Sequence, residues 1–261
     1  MSADLGSIAN HVDKRGIAGF GAEFWRRHRE TISGFWDSIG NYFANLEVKD
    51  SKIYQDGLVA DGEVGKRIVE EGVKAGSKNY EIIDDLVKRG AILVQTEDFP
   101  LVKEERDRIV KITQAKTTTA KLIAYLKYRL AKNRLLKKRD NYIAKRIDET
   151  LADGETGILF LGAYHNITPK LAKGIQPIEV KEVQKVRDYQ KLLLSFRKNK
   201  EEFDRLAKYL VSAVNGLVLI LLPLFLLAFF SIASWTRKPK NVLTITGSST
   251  HFLISSSSIL Y

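Results

Sequence analysis

Three short apolar runs in this 261-residue sequence each end in a group that can handle protons. Lys52-Ile-Tyr-Gln ends at Asp56, Ile92-Leu-Val-Gln-Thr at Glu97 and Asp98, and Leu159-Phe-Leu-Gly-Ala-Tyr at His165. A carboxylate and an imidazole at neighbouring strand ends are the raw material of general acid–base catalysis, the histidine because its unperturbed pKa of about 6.5 suits proton transfer at neutral pH. The same groups are metal ligands. His165, Glu97 and Asp56 would form a set of one histidine and two carboxylates, which suits a hard or borderline divalent ion better than a thiophilic one. Each position also has a plainer reading, since Asp56-Gly57 is a turn pair and a carboxylate just past a strand commonly caps the next helix.

A second pair of charges lies between these runs. Leu136, Asp140, Ile143, Ile147 and Leu151 fall at helical spacing, which places Asp140 in an otherwise apolar stripe. A charge on a buried face needs a partner, and Arg139 beside it is one candidate. Arg139 could equally bind a substrate carboxylate or phosphate, or stabilise developing negative charge. The two readings of Asp140 are a buried ion pair that ties helix to sheet and a member of a catalytic cluster.

The elements that must position these groups alternate. An aromatic amphipathic helix over Phe20 to Leu46 reads as a cover for a sheet, with an interfacial membrane helix as the other reading. Strand candidates at Lys52–Gln55, Ala91–Asp98, Gly157–Gly162 and Ile175–Val180 are separated by helical stretches at Val64–Ala75, Asn79–Arg89 and from Pro100 to Leu151, loosened at Thr117–Thr119. The class is therefore α/β, a mostly parallel sheet flanked by helices. In that class ligands bind beyond the carboxyl ends of the strands, where Asp56, Glu97 and His165 all fall.

Arg139-Asp-Asn-Tyr-Ile-Ala-Lys-Arg-Ile147, followed by Gly157-Ile-Leu-Phe-Leu-Gly-Ala-Tyr-His165, Leu171 and a closing strand, resembles the C-terminal half of the TraB/Tiki, erythromycin esterase and ChaN-like superfamily. Gly90 to Asp98 is similar to that group's strand ending in Leu-Glu-Thr, which maps its glutamate onto Glu97. The resemblance covers roughly residues 53–180 and implies an α/β fold with a hydrolase or ligand-binding site at the strand ends. The group's first histidine motif has no counterpart; Asp56 stands on the corresponding strand, and His11 and His28 lie upstream without that context.

Composition sets the outer limits. With no cysteine, thiolate zinc, iron–sulfur and cysteine-nucleophile chemistry are excluded. Walker A, Gly-x-Gly-x-x-Gly, His-Glu-x-x-His and Gly-x-Ser-x-Gly signatures are missing as well. The net charge of +11 comes from one segment, Lys111 to Arg146, which holds twelve Lys/Arg and a single acid, Asp140. Tyr209 to Thr236 carries no charge and is long and apolar enough to read as a transmembrane helix. The expected organisation is an aromatic helix region at 1–50, an α/β domain at 51–204, a membrane span at 209–236 and a disordered Ser/Thr-rich tail at 237–261. The N-terminal domain would then be cytoplasmic, and the membrane a partner through residues 209–236. The functional expectation is a hydrolase-like or ligand-binding site for a small-molecule or peptide substrate, built on Glu97, His165 and Arg139 with Asp56, Asp98 and Asp140 in support, and metal-assisted if a divalent ion binds. The alternative is a non-enzymatic binding or scaffold protein whose basic helix over 111–146 contacts anionic lipid or, with less support, nucleic acid.

Overall fold

β3 (Thr156–Gly162) is apolar from Ile158 to Leu161, so it must sit where both faces of a sheet are covered. In the computed structural model, which describes residues 16–214 and 239–247, it is the middle strand of five, in the order β2-β1-β3-β5-β4. All four pairings are parallel. Its neighbours are β1 (Lys52–Gln55), which pairs in turn with the two-residue β2 (Ile92–Leu93), and β5 (Lys240–Gly247), which pairs with β4 (Ile175–Glu179).

Alternation along the strands divides the core into two layers. Ile53, Ile158, Phe160, Leu243 and Ile245 face α1 (Ala22–Ala44), α2 (Gly62–Lys74), α3 (Lys78–Lys88), α6 (Val183–Leu192) and α7 (Lys200–Val211). Tyr54, Leu159, Leu161 and Val242 face the C-terminal end of α5 (Thr118–Thr150), through Ile143, Ile147 and Leu151. The aromatic face of α1, including Phe35, Trp36 and Phe43, is buried in the first layer, so this helix covers the sheet and does not lie at a membrane surface. α4 (Phe99–Thr113) packs along α5. The break expected at Thr117–Thr119 is the start of α5, where Thr117 Oγ1 accepts the Ala120 N–H at 3.1 Å. Gly90, at φ 95°, makes the left-handed turn out of α3, and Ala91 N–H then closes on Leu86 O at 3.0 Å.

β5 corrects the expected organisation at the C-terminus. Residues 240–247 are a strand between β3 and β4, with Val242 and Ile245 fully buried, rather than part of a disordered tail. The boundary expected near Asp204 falls inside α7, which continues to Val211 with Leu210 in the core. Of the expected span at 209–236, Tyr209–Val211 close α7 and residues 215–236 lie outside the described residues, as do 248–261 of the tail. Among the described residues no helix is long and apolar enough to cross a membrane. The placement of β5 adds a topological constraint: a single crossing after α7 would carry β5 across the bilayer, away from the two strands that flank it.

The substitution Ile245→Ala, which empties a fully buried position, is expected to cost about 2–5 kcal/mol in urea denaturation. A comparable loss is expected for Ile158→Ala in β3. A tail outside the fold would leave the first substitution silent.

Candidate functional site

Backbone pairing brings the strand ends together. Asp56 N–H donates to Phe160 O at 2.9 Å, one residue past β1, so Asp56 is held against β3. Thr96 and Glu97 both donate N–H to Leu58 O, at 2.9 and 3.0 Å, which holds the segment after β2 against the turn after β1. His165 N–H closes a turn on Gly162 O at 3.1 Å. Arg139 and Asp140, successive residues on α5, point about 100° apart. Arg139 therefore reaches the ends of β1 and β2 while Asp140 reaches the end of β3.

Arg139 makes contact with three carboxylates. Its Nη2 lies 2.5 Å from both Asp56 Oδ1 and Glu97 Oε1, its Nε donates to Glu97 at 3.1 and 3.2 Å, and its Nη1 donates to Glu105 Oε2 at 2.5 Å. The other Glu105 oxygen accepts the Tyr128 hydroxyl at 3.1 Å. On the β3 side, His165 Nδ1 is 2.6 Å from Asp140 Oδ1, and the second Asp140 oxygen accepts the Asn166 N–H at 3.1 Å. Asp56 joins the two halves: its Oδ2 accepts the Gly162 N–H at 3.2 Å and lies 3.3 Å from His165 Nε2. Lys170 Nζ approaches Asp140 at 3.7 Å.

Protonation follows from this packing. Glu97 has no exposed surface, and burial drives its pKa up to about 7 against the pull of Arg139. For His165, burial disfavours the charged ring, but Asp56 and the hydrogen bond to Asp140 outweigh it and raise the pKa to about 10. The neutral imidazole base expected near 6.5 is thus an imidazolium at neutral pH. The Arg139 pKa is also raised, burial being overcome by Asp56 and Glu97.

Five of the residues singled out by sequence, Asp56, Glu97, Arg139, Asp140 and His165, meet in this cluster. Asp98 does not belong to it; its Oδ1 caps α4 by accepting the Leu101 N–H at 3.0 Å. Arg139 is not the partner of Asp140, which belongs to His165. Glu105, Tyr128 and Lys170 were not foreseen, because a glutamate and a lysine on helical surfaces carry no local sign of a tertiary partner. His28 is buried away from this network, bonded to the Tyr189 hydroxyl at 2.9 Å, and burial lowers its pKa to about 4.

No family model, curated protein or solved structure matches the chain. Asp56, Glu97 and His165 present one ligand atom each within 4.8 Å of one another. Asp140 on Nδ1 is the outer partner that a metal-binding histidine ordinarily has. The donor set would fit a divalent ion through one carboxylate oxygen each of Asp56 and Glu97 and through His165 Nε2 once its proton is given up. A cavity of about 500 Å³ is lined by Tyr125, Tyr128, Arg129, Lys132 and Asn133 of α5. Tyr128 connects it to Glu105 and Arg139, and Lys132 Nζ sits 4.9 Å over the ring of Tyr164, the neighbour of His165.

Two outcomes are expected. Arg139→Ala leaves buried carboxylates without their cation and is expected to cost about 3–5 kcal/mol in chemical denaturation. His165 has a folded pKa of about 10 against 6.5 unfolded, so its contribution is complete below 6.5 and lost as pH rises to 10. Glu97 adds a loss of the same sign as pH rises from 4.5 to about 7. Unfolding free energy measured against pH should therefore fall from 6.5 to 10 in the parent, and His165→Gln should flatten that range.

Proposed function

We propose that the chain is a hydrolase acting on a small-molecule or peptide substrate at the carboxyl ends of β1, β2 and β3. The observation that carries this reading is Asp56, a carboxylate shared between a buried guanidinium and a buried imidazolium, with 16% of its side chain still open to solvent. In this reading Asp56 takes a proton from the attacking water. His165, charged at neutral pH, donates to the leaving group, and Asp140 holds its ring in orientation. Arg139 stabilises negative charge as it develops, and Glu97 and Glu105 keep the guanidinium in place. A divalent ion held by Asp56, Glu97 and His165 would instead supply Lewis-acid activation of the water in place of this acid–base pair, since a metal-bound Nε2 has no proton for the leaving group. The short motifs shared with the TraB/Tiki, erythromycin esterase and ChaN-like superfamily point the same way, and Asp56 stands where that group's first histidine is expected.

The second reading is a non-enzymatic binding or scaffold protein in which the cluster ties α5 to the sheet. The complete burial of Glu97 favours it. One experiment separates the two. The full chain is assayed on chromogenic esters, lactones, phosphoesters and peptides, with and without magnesium, manganese or zinc. The enzyme reading expects turnover that falls about a hundredfold or more in Asp56→Asn and His165→Gln proteins that still fold by circular dichroism. Absence of turnover in the parent on every substrate, or folded variants as active as the parent, would leave the scaffold reading.

A further inference from the structure

We infer that the N-terminal half of α5 is a docking surface for an anionic lipid bilayer. Toward its C-terminus this helix covers the sheet, and over residues 118–139 it runs on past the strand ends beside α4. There Tyr128, Ala131 and Leu135 are buried, while Leu122, Ile123, Leu126 and Leu130 are 55%, 48%, 47% and 85% exposed. Their spacing of i, i+1, i+4 and i+8 gathers them on one side of the helix. Single exposed leucines are ordinary on a protein surface, whereas a contiguous stripe marks a binding face.

The flanking charges name the partner. Lys121, Lys127, Arg129, Arg134, Lys137 and Lys138 border the stripe, and no acidic residue lies between Asp107 and Asp140. Many exposed cations on other helices are tied to acids one turn away, as in Arg26 with Glu23 and Glu30, Lys66 with Glu63, Lys103 with Asp107 and Arg205 with Glu202. Among the described residues none of these six is in a salt bridge, and the acid on the neighbouring α4 that Arg134 and Lys138 approach is Glu104, whose pKa is lowered first by its bridge to Arg108 and further by these two. A second copy of the chain would set cations against cations. Nucleic acid would satisfy the charges and leave the leucines in water. An anionic bilayer meets both needs, with headgroup phosphates for the cations and the acyl boundary for the leucines. The surface stands on these exposures and charges, independently of any reaction at the strand ends.

Flotation of the full chain with phosphatidylcholine vesicles, with and without phosphatidylglycerol, tests the surface. The parent is expected to bind the anionic vesicles at least tenfold more tightly, and less so as salt is raised. Leu126→Glu with Leu130→Glu, and separately Lys127→Glu with Arg134→Glu, should each weaken that binding about tenfold or more. All four positions are on the helix surface, and circular dichroism checks that the fold is kept. Equal binding to neutral and anionic vesicles, or vesicle binding unchanged in both variants, would overturn the proposal. So would a leucine variant that alters sedimentation of the free protein but not vesicle binding, which would make the stripe a self-association face. A charge variant that loses binding to homopolymer RNA but not to vesicles would overturn it in favour of nucleic acid.

Discussion

A guanidinium taken out of water is tolerated where its donors are met by acceptors of opposite charge, and Arg139 meets that condition with carboxylates from three different places. Asp56 comes from the end of β1, Glu97 from the segment after β2 and Glu105 from α4. Asp56 is distant in sequence from the other two, and Glu105 lies on the helix that follows Glu97, so the geometry of the carboxyl end of the sheet is largely the geometry of satisfying this one side chain. The charges also constrain one another. Burial is what raises the Glu97 pKa, with Arg139 opposing the rise and the charge of Asp56 adding to it. The imidazolium of His165 is the complementary response on the other side of Asp56.

The lines of this arrangement that could be read in the sequence are those with a local signature. The apolar run Ile158 to Leu161 demanded a central strand, and Asp140 inside an apolar stripe demanded a partner. That Asp56, Glu97 and His165 lie past the carboxyl ends of three strands could be placed because parallel strands share a direction. What could not be read depends on contacts distant in sequence. The protonation of His165 is set by two aspartates, neither of which is its sequence neighbour. Glu105 sits in an ordinary charged helix, and its role is visible only against Arg139 and Tyr128. Asp98 had the right position for the cluster, but helix capping claimed it.

β5 was illegible for a different physical reason. Lys240 to Gly247 is short, follows a long apolar run and precedes a Ser/Thr-rich stretch, so composition drew attention away from the β-branched residues Val242, Thr244, Ile245 and Thr246 within it. Its identity as a strand comes from two partners, β3 and β4, which offer hydrogen-bonding edges on both sides. Once it occupies that gap, the chain before residue 215 and the chain after 238 are bound into the same sheet. Both ends of the apolar run are thus held in one fold.

α5 is the element on which these features converge. At roughly 50 Å for its 33 residues, it is too long for the sheet it covers, and the excess has to go somewhere. Its C-terminal turns pack on Tyr54, Leu159 and Val242; Arg139 and Asp140 sit where the strands stop; the remaining turns carry the basic, leucine-studded face beyond them. The hydrogen bond from Arg139 to Glu105 and that from Tyr128 to the same carboxylate lash this outer part to α4. One rigid helix thus fixes the distance and angle between the charged cluster and the exposed stripe. Whatever meets that stripe is held at a set height above the strand ends.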